Sequence, residues 1–217
     1  ETALQQVQGL LEQTDRQPLP GDGDRELTEG RAVLGIWTPL YNRDFWPALD
    51  SALAAALDGD GSVLLGFADA YVNRTEQGYA DNSTEAIYAI NCLDRDTGVP
   101  SSQVDRYVDR FEEVSPTFGR VFAFGLTACD NWPIDSGKEP GPLEAAGAAP
   151  VLVVGTTRDP ATPLEWAQAL AEQLESGVLL TRDGDGHTGY RAGNECVDRT
   201  VERYLVSGTV PESDVSC

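Results

Sequence analysis

The feature that most constrains the fold is a strand, helix, strand, helix succession after residue 150. Residues 150–155 form an uninterrupted apolar run rich in β-branched side chains, which is typical of a strand buried on both faces of a parallel sheet. Residues 163–174 place apolar side chains at helical spacing behind a proline. A second strand is predicted over residues 177–181, and a final helix over residues 194–206. This succession is the βαβ pattern of an α/β protein.

Two parallel strands cannot make a complete sheet. Strands that are buried on both faces need neighbours, and a sheet of only two leaves long edges open to water and to other chains. We therefore expect an α/β fold whose sheet is incomplete in this chain and is continued by strands supplied from elsewhere.

The first two thirds of the chain predict helices. Apolar residues recur at helical intervals in six segments: residues 1–15, 28–40, 46–57, 63–72, 86–92 and 102–111. A stretch rich in Pro and Gly over residues 133–150 marks a boundary. The sequence thus predicts a mainly α-helical region over residues 1–149, which ends in a Pro/Gly-rich loop, and a segment of an α/β core over residues 150–217.

The charge balance argues against two classes of partner. The chain has 36 Asp and Glu residues against 15 Lys and Arg, a formal charge of −21 at pH 7, which repels nucleic acid and anionic lipid. Its longest nearly uncharged runs, residues 119–128 and 148–157, are shorter than the roughly 18 apolar residues of a spanning helix. We expect no nucleic-acid partner and no membrane span. Since the chain has no Met and opens on a Glu, we also expect that a preceding segment has been removed.

The four cysteines predict disulfides rather than a metal site. Cys92, Cys129, Cys196 and Cys217 form no CxxC pair, and the single histidine, His187, cannot complete a zinc site with them at the usual spacings. Four cysteines allow three connectivities, of which we favour Cys92–Cys129 and Cys196–Cys217 because each closes a short loop. The alternative is four reduced, buried thiols. Disulfides point to a secreted protein, and the Asp-Gly loops lack the EF-hand order, so we expect no metal.

Asp159 and His187 are the candidate catalytic side chains. Asp159 follows the first predicted strand, and His187 lies in a Gly-rich turn 28 residues later, after the second. Because the carboxyl ends of parallel strands meet at one edge of a sheet, this spacing would bring both side chains to the same edge. An Asp that accepts the Nδ1 proton of a His fixes its tautomer and stabilises the imidazolium, which is the base half of a nucleophilic triad. The alternative is a loop histidine and a carboxylate favoured by a helix N-terminus.

The chain also resembles the tripeptidyl aminopeptidase-like (TAP-like) α/β-hydrolases, which are secreted serine exopeptidases of actinobacteria. The motifs in the C-terminal part are VLVVG at residues 151–155, DPATP at 159–163 and GDGHTGY at 184–190. The motifs similar to that family's helical lid are Leu40-Tyr41 with Trp46, AINCLD at 89–94 and ACDNWP at 128–133. The resemblance covers nearly the whole chain. It implies the carboxyl-terminal portion of an α/β-hydrolase fold, with residues 1–149 as the lid.

By this resemblance Asp159 is the acid and His187 the base of a Ser-His-Asp triad, in the hydrolase order Ser, Asp, His. The sequence departs from the family because residues 1–217 contain no GxSxG motif, the strained turn that carries the nucleophile. The resemblance therefore implies that the Ser belongs to an N-terminal part of the same enzyme, that no cofactor is required, and that this chain alone is inactive.

The activity implied is that of an aminopeptidase, which releases short peptides from a substrate with a free N-terminus. The acidity has two interpretations: a solvated face that confers solubility, or lid carboxylates that bind the substrate ammonium and so measure distance from the N-terminus. Two alternatives remain: an esterase or prolyl aminopeptidase on the same fold, since a fold does not fix a substrate, and a non-catalytic fragment or binding module.

Overall fold

The computed structural model describes residues 2–94, 98–134 and 141–217, and these fall into two units. The helical unit comprises the described residues of Glu1–Pro39 and Pro47–Pro140, and the sheet unit comprises Leu40–Trp46 and Gly141–Cys217. Part of the Pro/Gly-rich loop predicted over residues 133–150 lies outside the described residues, at 135–140. The assignment of residues 1–149 to a lid and of residues 150–217 to a core stays a prediction.

Seven α-helices precede residue 130 in the described part of the chain: α1 Ala3–Arg16, α2 Glu29–Leu40, α3 Trp46–Leu57, α4 Ser62–Tyr71, α5 Ser83–Asp94, α6 Asp105–Val114 and α7 Gly119–Gly125. The six predicted helices are confirmed with shifted ends, and α7 was not predicted. Two short antiparallel hairpins were also missed, β1 Leu19–Pro20 with β2 Glu26–Leu27, and β3 Arg74–Thr75 with β4 Gly78–Tyr79. Strands of two residues leave no period-2 pattern from which to predict them.

The core of the helical unit combines apolar residues of its helices with Leu27 of β2. Leu10, Leu27, Leu64 and Leu65 are all at most 1% exposed. At Gly35, a Cβ atom would collide with the backbone carbonyl of Leu64, so α2 and α4 approach more closely than a side chain at this position would allow.

The sheet unit contains three parallel strands in the order β5-β6-β7, with β5 at Val151–Arg158, β6 at Gly177–Asp185 and β7 at Val215–Ser216. Helix α8, Leu164–Gln173, connects β5 to β6, and helix α9, Glu195–Ser207, lies between β6 and β7. These strands and helices confirm the predicted α/β fold class. Among the described residues β5 pairs only with β6, so the sheet is incomplete as expected.

Both faces of this sheet are covered. Val153 and Leu179 pack with Leu174 and α8 on one face, while Leu180 packs with Val197 of α9 on the other. Successive residues of one strand therefore enter opposite core clusters, which is the period of two expected of a strand buried on both sides.

Two features of the sheet correct the sequence-based expectations. The sheet has three described strands rather than two, because the C-terminal tail adds β7 beside Leu180 and Thr181. In addition, β6 runs to Asp185, although residues 183–186 were predicted to form a turn. Arg158 of β5 stabilises this acidic segment in the sheet, because its guanidinium binds the carboxylates of both Asp183 and Asp185.

Each unit contains one disulfide. Cys92 bonds to Cys129 with the Cα atoms 5.4 Å apart, and Cys196 bonds to Cys217 with the Cα atoms 5.7 Å apart, which confirms the favoured connectivity. The second disulfide anchors the tail to α9, and the Cys217 N–H also donates to the carbonyl of Thr181 at 2.8 Å. None of the helices in the described ranges has the length and apolar character that a bilayer crossing requires.

Candidate active site

Asp159 and His187 meet at the carboxyl edge of the sheet. Asp159 directly follows β5, His187 lies two residues beyond β6, and the register pairs Arg158 with Asp185 at the ends of these strands. The His187 Nδ1 atom is 3.0 Å from each carboxylate oxygen of Asp159. The spacing in the sequence therefore anticipated the juxtaposition of the two side chains.

The Asp159 carboxylate is buried and heavily hydrogen-bonded. Its side chain is only 3% exposed. The N–H groups of Ala161 and Thr162 donate to Oδ1 at 2.8 and 2.9 Å, and the Thr162 hydroxyl and the Thr188 N–H donate to Oδ2 at 3.0 and 3.1 Å. Burial raises the pKa of Asp159, but the hydrogen bonds from these groups and from His187 outweigh it, so the net pKa is lowered. The carboxylate is therefore ionised at neutral pH.

Tyr41 contacts both the backbone and the ring of His187. The backbone N–H of His187 donates to the backbone carbonyl of Tyr41 at 2.8 Å, and the imidazole and the Tyr41 ring meet edge to face with their centroids 5.1 Å apart. Because an ionised carboxylate can only accept, the Asp159 contact places the proton of a neutral imidazole on Nδ1. Nε2 then carries the lone pair, and this atom forms no hydrogen bond with any residue in the described ranges. The ring is thus held by Nδ1, and Nε2 is the nitrogen left without a hydrogen-bond partner among the described residues.

The turn that carries His187 has a strained backbone. Gly186 has φ of 97° and Thr188 has φ of 71°, and a β-branched residue rarely adopts such a positive φ. A conformation of this kind costs on the order of 1–3 kcal/mol and persists only when neighbouring contacts enforce it. Here Thr188 donates its N–H to Asp159 and accepts from the buried hydroxyl of Thr156 at 3.0 Å. The same contacts that impose the strain hold His187 beside its carboxylate.

If His187 acts in catalysis, Gly186→Ala is expected to lower kcat at least about 10-fold, because a Cβ atom would lie 2.8 Å from the Tyr41 carbonyl oxygen and displace the residue next to His187. The measurement is steady-state kinetics on the complete protein. Gly193→Ala is the matched control, since Gly193 also has a positive φ, 81°, but has open space around it. A loss of kcat that is equal in both variants would show that backbone strain, and not the contact with Tyr41, is responsible.

A cavity of about 550 Å³ opens beside His187 within the sheet unit. Charged side chains line much of it: Arg43, Asp44, Arg182, Asp185 and Arg191. Arg43 reaches Asp185 at 3.1 Å, and Arg158 reaches the other oxygen of the same carboxylate at 2.6 Å. These arginines keep the pKa of Asp185 below its usual value.

The neighbours of the Asp-His pair could be only partly anticipated. Tyr41 is 146 residues before His187 in the chain, and no local pattern connects the two. Thr162 and Thr188 lie within the motifs that flank Asp159 and His187, but neither spacing nor hydropathy indicates that they donate to the carboxylate.

No serine hydroxyl among the described residues hydrogen-bonds to the His187 imidazole. The Thr162 hydroxyl lies 3.4 Å from Nδ1, and it donates to Asp159 Oδ2. Ser207, for example, donates to the carbonyl of Arg203 within α9, and Ser115 accepts from the N–H of Phe118.

Comparisons with known proteins identify several relatives. A family model described as "TAP-like protein" matches residues 115–217, the part that contains both Asp159 and His187. Serine protease Hip1 of Mycobacterium tuberculosis is 37% identical over 199 residues, which are 89% of this chain and 38% of that protein. Carboxylesterase B of the same species is 33% identical over 212 residues, 96% of this chain and 41% of that protein. Tripeptidyl aminopeptidase of Streptomyces lividans is 28% identical over 184 residues, 82% of this chain and 34% of that protein. The chain thus spans about two fifths of the length of the first two relatives and a third of the third.

Proposed function

We propose that this chain, whose residues 115–217 match the TAP-like family model, is the carboxyl-terminal portion of a serine hydrolase of the α/β-hydrolase superfamily. In this proposal Asp159 and His187 are the acid and the base of a Ser-His-Asp triad. The observation that carries it is the imidazole whose Nδ1 is 3.0 Å from a buried, ionised carboxylate while its Nε2 has no partner among the described residues.

The geometry supports a two-step acyl transfer. His187 Nε2 takes the proton of the serine hydroxyl as the serine oxygen attacks the scissile carbonyl carbon, and the imidazolium then gives this proton to the leaving amine or alcohol. Water repeats the sequence to release the acyl group, so the serine and the imidazole are regenerated. Asp159 stays ionised throughout and stabilises each imidazolium.

The serine is proposed to lie outside these 217 residues. The chain has no GxSxG motif, and the relatives are more than twice its length. The partner of this chain is therefore the N-terminal part of the same enzyme, which supplies the nucleophile and the oxyanion hole. The helical unit, with the Pro/Gly-rich segment that follows it, is proposed to act as the lid of the complete site.

The proposed substrate is a peptide with a free N-terminus, from which a short peptide is released. Two of the three relatives described above are named as peptidases, and the strongly acidic composition provides carboxylates that can bind a substrate ammonium group. The carboxylesterase relative favours one alternative, the hydrolysis of simple esters. Two disulfides support a secreted protein, because such bonds persist in oxidising compartments.

Matched substrates on the complete enzyme test this function. We expect kcat/KM for a chromogenic tripeptide with a free N-terminus to exceed that for its N-acetylated form by about 10²-fold or more, because acetylation removes the charge that the acidic groups would bind. The other substrates are a simple nitrophenyl ester and chromogenic substrates that carry one aminoacyl residue, including a prolyl substrate. Equal hydrolysis of the free and acetylated tripeptides would contradict aminopeptidase specificity. Hydrolysis of the ester alone would favour the esterase. If no substrate is hydrolysed, a non-catalytic module is favoured.

A further inference from the structure

The side chain of Arg182 bridges the two ends of the turn that carries His187. Arg182 lies in β6, and its Nη1 donates to the carbonyl of Asp185 at 3.0 Å while its Nη2 donates to the carbonyl of Ala192 at 3.0 Å. One of these carbonyls precedes His187 by two residues and the other follows it by five. A single guanidinium therefore joins the entry and the exit of the segment that contains His187.

The guanidinium is confined to this position. Its Nε atom is shielded from solvent and has no hydrogen-bond partner among the described residues. At Gly184, a Cβ atom would lie 2.8 Å from the Arg182 Cζ atom, so the backbone of β6 passes directly against the group. Because a buried donor without a partner is unfavourable, the two bonds to the carbonyls must hold the side chain where it is.

The bridged segment needs a restraint of this kind. Thr188 and Arg191 both have a positive φ, 71° and 60°, so the turn is not a low-energy conformation for its own sequence. The Arg191 N–H donates to the Asp198 carboxylate at 2.7 Å, which fixes one point near the exit. The Arg182 side chain, in contrast, hydrogen-bonds to both ends of the segment.

We propose that Arg182 is a positioning residue for His187, which sets the separation of the turn's two ends and so keeps the imidazole in line with Asp159. This inference rests on the proposed role of His187 as the base. Arg182 does not touch the reacting atoms, and its effect is transmitted through the backbone of the turn. The planar fork of an arginine can serve two diverging carbonyls at once, whereas the compact ammonium of a lysine cannot reproduce both bonds.

Two substitutions at Arg182 in the complete enzyme test the proposal. Arg182→Met retains an unbranched apolar side chain but removes both hydrogen bonds. We expect kcat to fall about 10- to 100-fold while KM changes less than about 3-fold, because the group that is misplaced is the base and not a substrate contact. Arg182→Lys, which can keep one bond, is expected to recover part of the loss. Arg199→Met is the matched control, because Arg199 is an exposed arginine on α9 paired only with Glu195 among the described residues.

A chemical rescue separates positioning from general stability. The rescue uses a truncation that leaves space for the added group: free guanidinium ion, at concentrations too low to denature, is expected to restore part of kcat in Arg182→Ala and to leave an Arg199→Ala control unchanged. The proposal is overturned if kcat of Arg182→Met stays within twofold of wild type. It is also overturned if kcat falls together with the melting temperature and neither lysine nor guanidinium restores it, because Arg182 would then serve stability alone.

The parallel variant His187→Ala keeps this test separate from the proposed function. If His187→Ala is inactive while Arg182→Met is normal, the positioning role fails and the triad stands. If His187→Ala retains wild-type activity, the proposed function itself fails, and the positioning role fails with it.

Discussion

His187→Ala in the complete enzyme is expected to reduce kcat by about 10⁴-fold or more, since loss of the base removes the pathway for the serine proton in both halves of the reaction. The chain offers no substitute, because His187 is its only histidine. KM should change little, because in the proposed mechanism the imidazole acts on the reacting hydroxyl and not on substrate binding. The measurement is kcat on the free tripeptide substrate.

Two controls accompany this variant. Its melting temperature should match that of wild type within a few degrees, since the His187 side chain is 30% exposed and fills no core position. Added imidazole should restore a small part of the activity by entering the vacated site. Turnover within a few-fold of wild type would contradict the role of His187 as the base.

Asp159→Asn is the second substitution with a large expected effect, a loss in kcat of about 10³- to 10⁴-fold. Both carboxylate oxygens accept hydrogen bonds: Oδ1 from the N–H groups of Ala161 and Thr162, and Oδ2 from the Thr162 hydroxyl and the Thr188 N–H. An asparagine in either orientation turns an NH₂ group toward one of these pairs of donors. It also lacks the negative charge that stabilises the imidazolium, and it no longer forces the proton onto Nδ1.

The matched control for Asp159→Asn is Asp183→Asn. Asp183 is close to the same edge of the sheet and also accepts hydrogen bonds, from Thr157 and Arg158, but its side chain is 69% exposed and has no hydrogen bond to His187 among the described residues. We expect kcat of Asp183→Asn to stay within about threefold of wild type. Equal losses in the two variants would indicate that the charge of this edge, and not the contact with His187, supports catalysis.

The sequence predicted those parts of the fold in which apolar residues recur with the period of a helix or form the continuous run of a buried strand. The strand at 150–155 and the helix at 194–206 each combine an apolar period with a recognisable end, and the structure confirms both with small shifts. The meeting of Asp159 and His187 followed from topology, because parallel strands joined by one helix bring their carboxyl ends to a common edge.

The parts that sequence missed depend on contacts between distant residues. β7 has two residues and forms because the tail hydrogen-bonds along β6 beside the Cys196–Cys217 disulfide. The last residues of β6 are acidic and next to glycines, which locally favours a turn, yet Arg158 from the neighbouring strand holds them in the sheet. Tyr41 and Arg182 support the His187 turn through backbone carbonyls, and hydrogen bonds to backbone atoms leave no mark in the residue pattern.

The central claim is that this chain supplies the acid and base for a serine that lies elsewhere in the enzyme. The most direct measurement is to label the complete enzyme with a fluorophosphonate probe, digest it, and locate the modified residue by mass spectrometry in wild type and in His187→Ala. We predict one labelled serine outside residues 1–217 and a labelling rate that falls at least about 10²-fold in His187→Ala. A labelled serine within these 217 residues, or a labelling rate unaffected by the loss of His187, would contradict the claim.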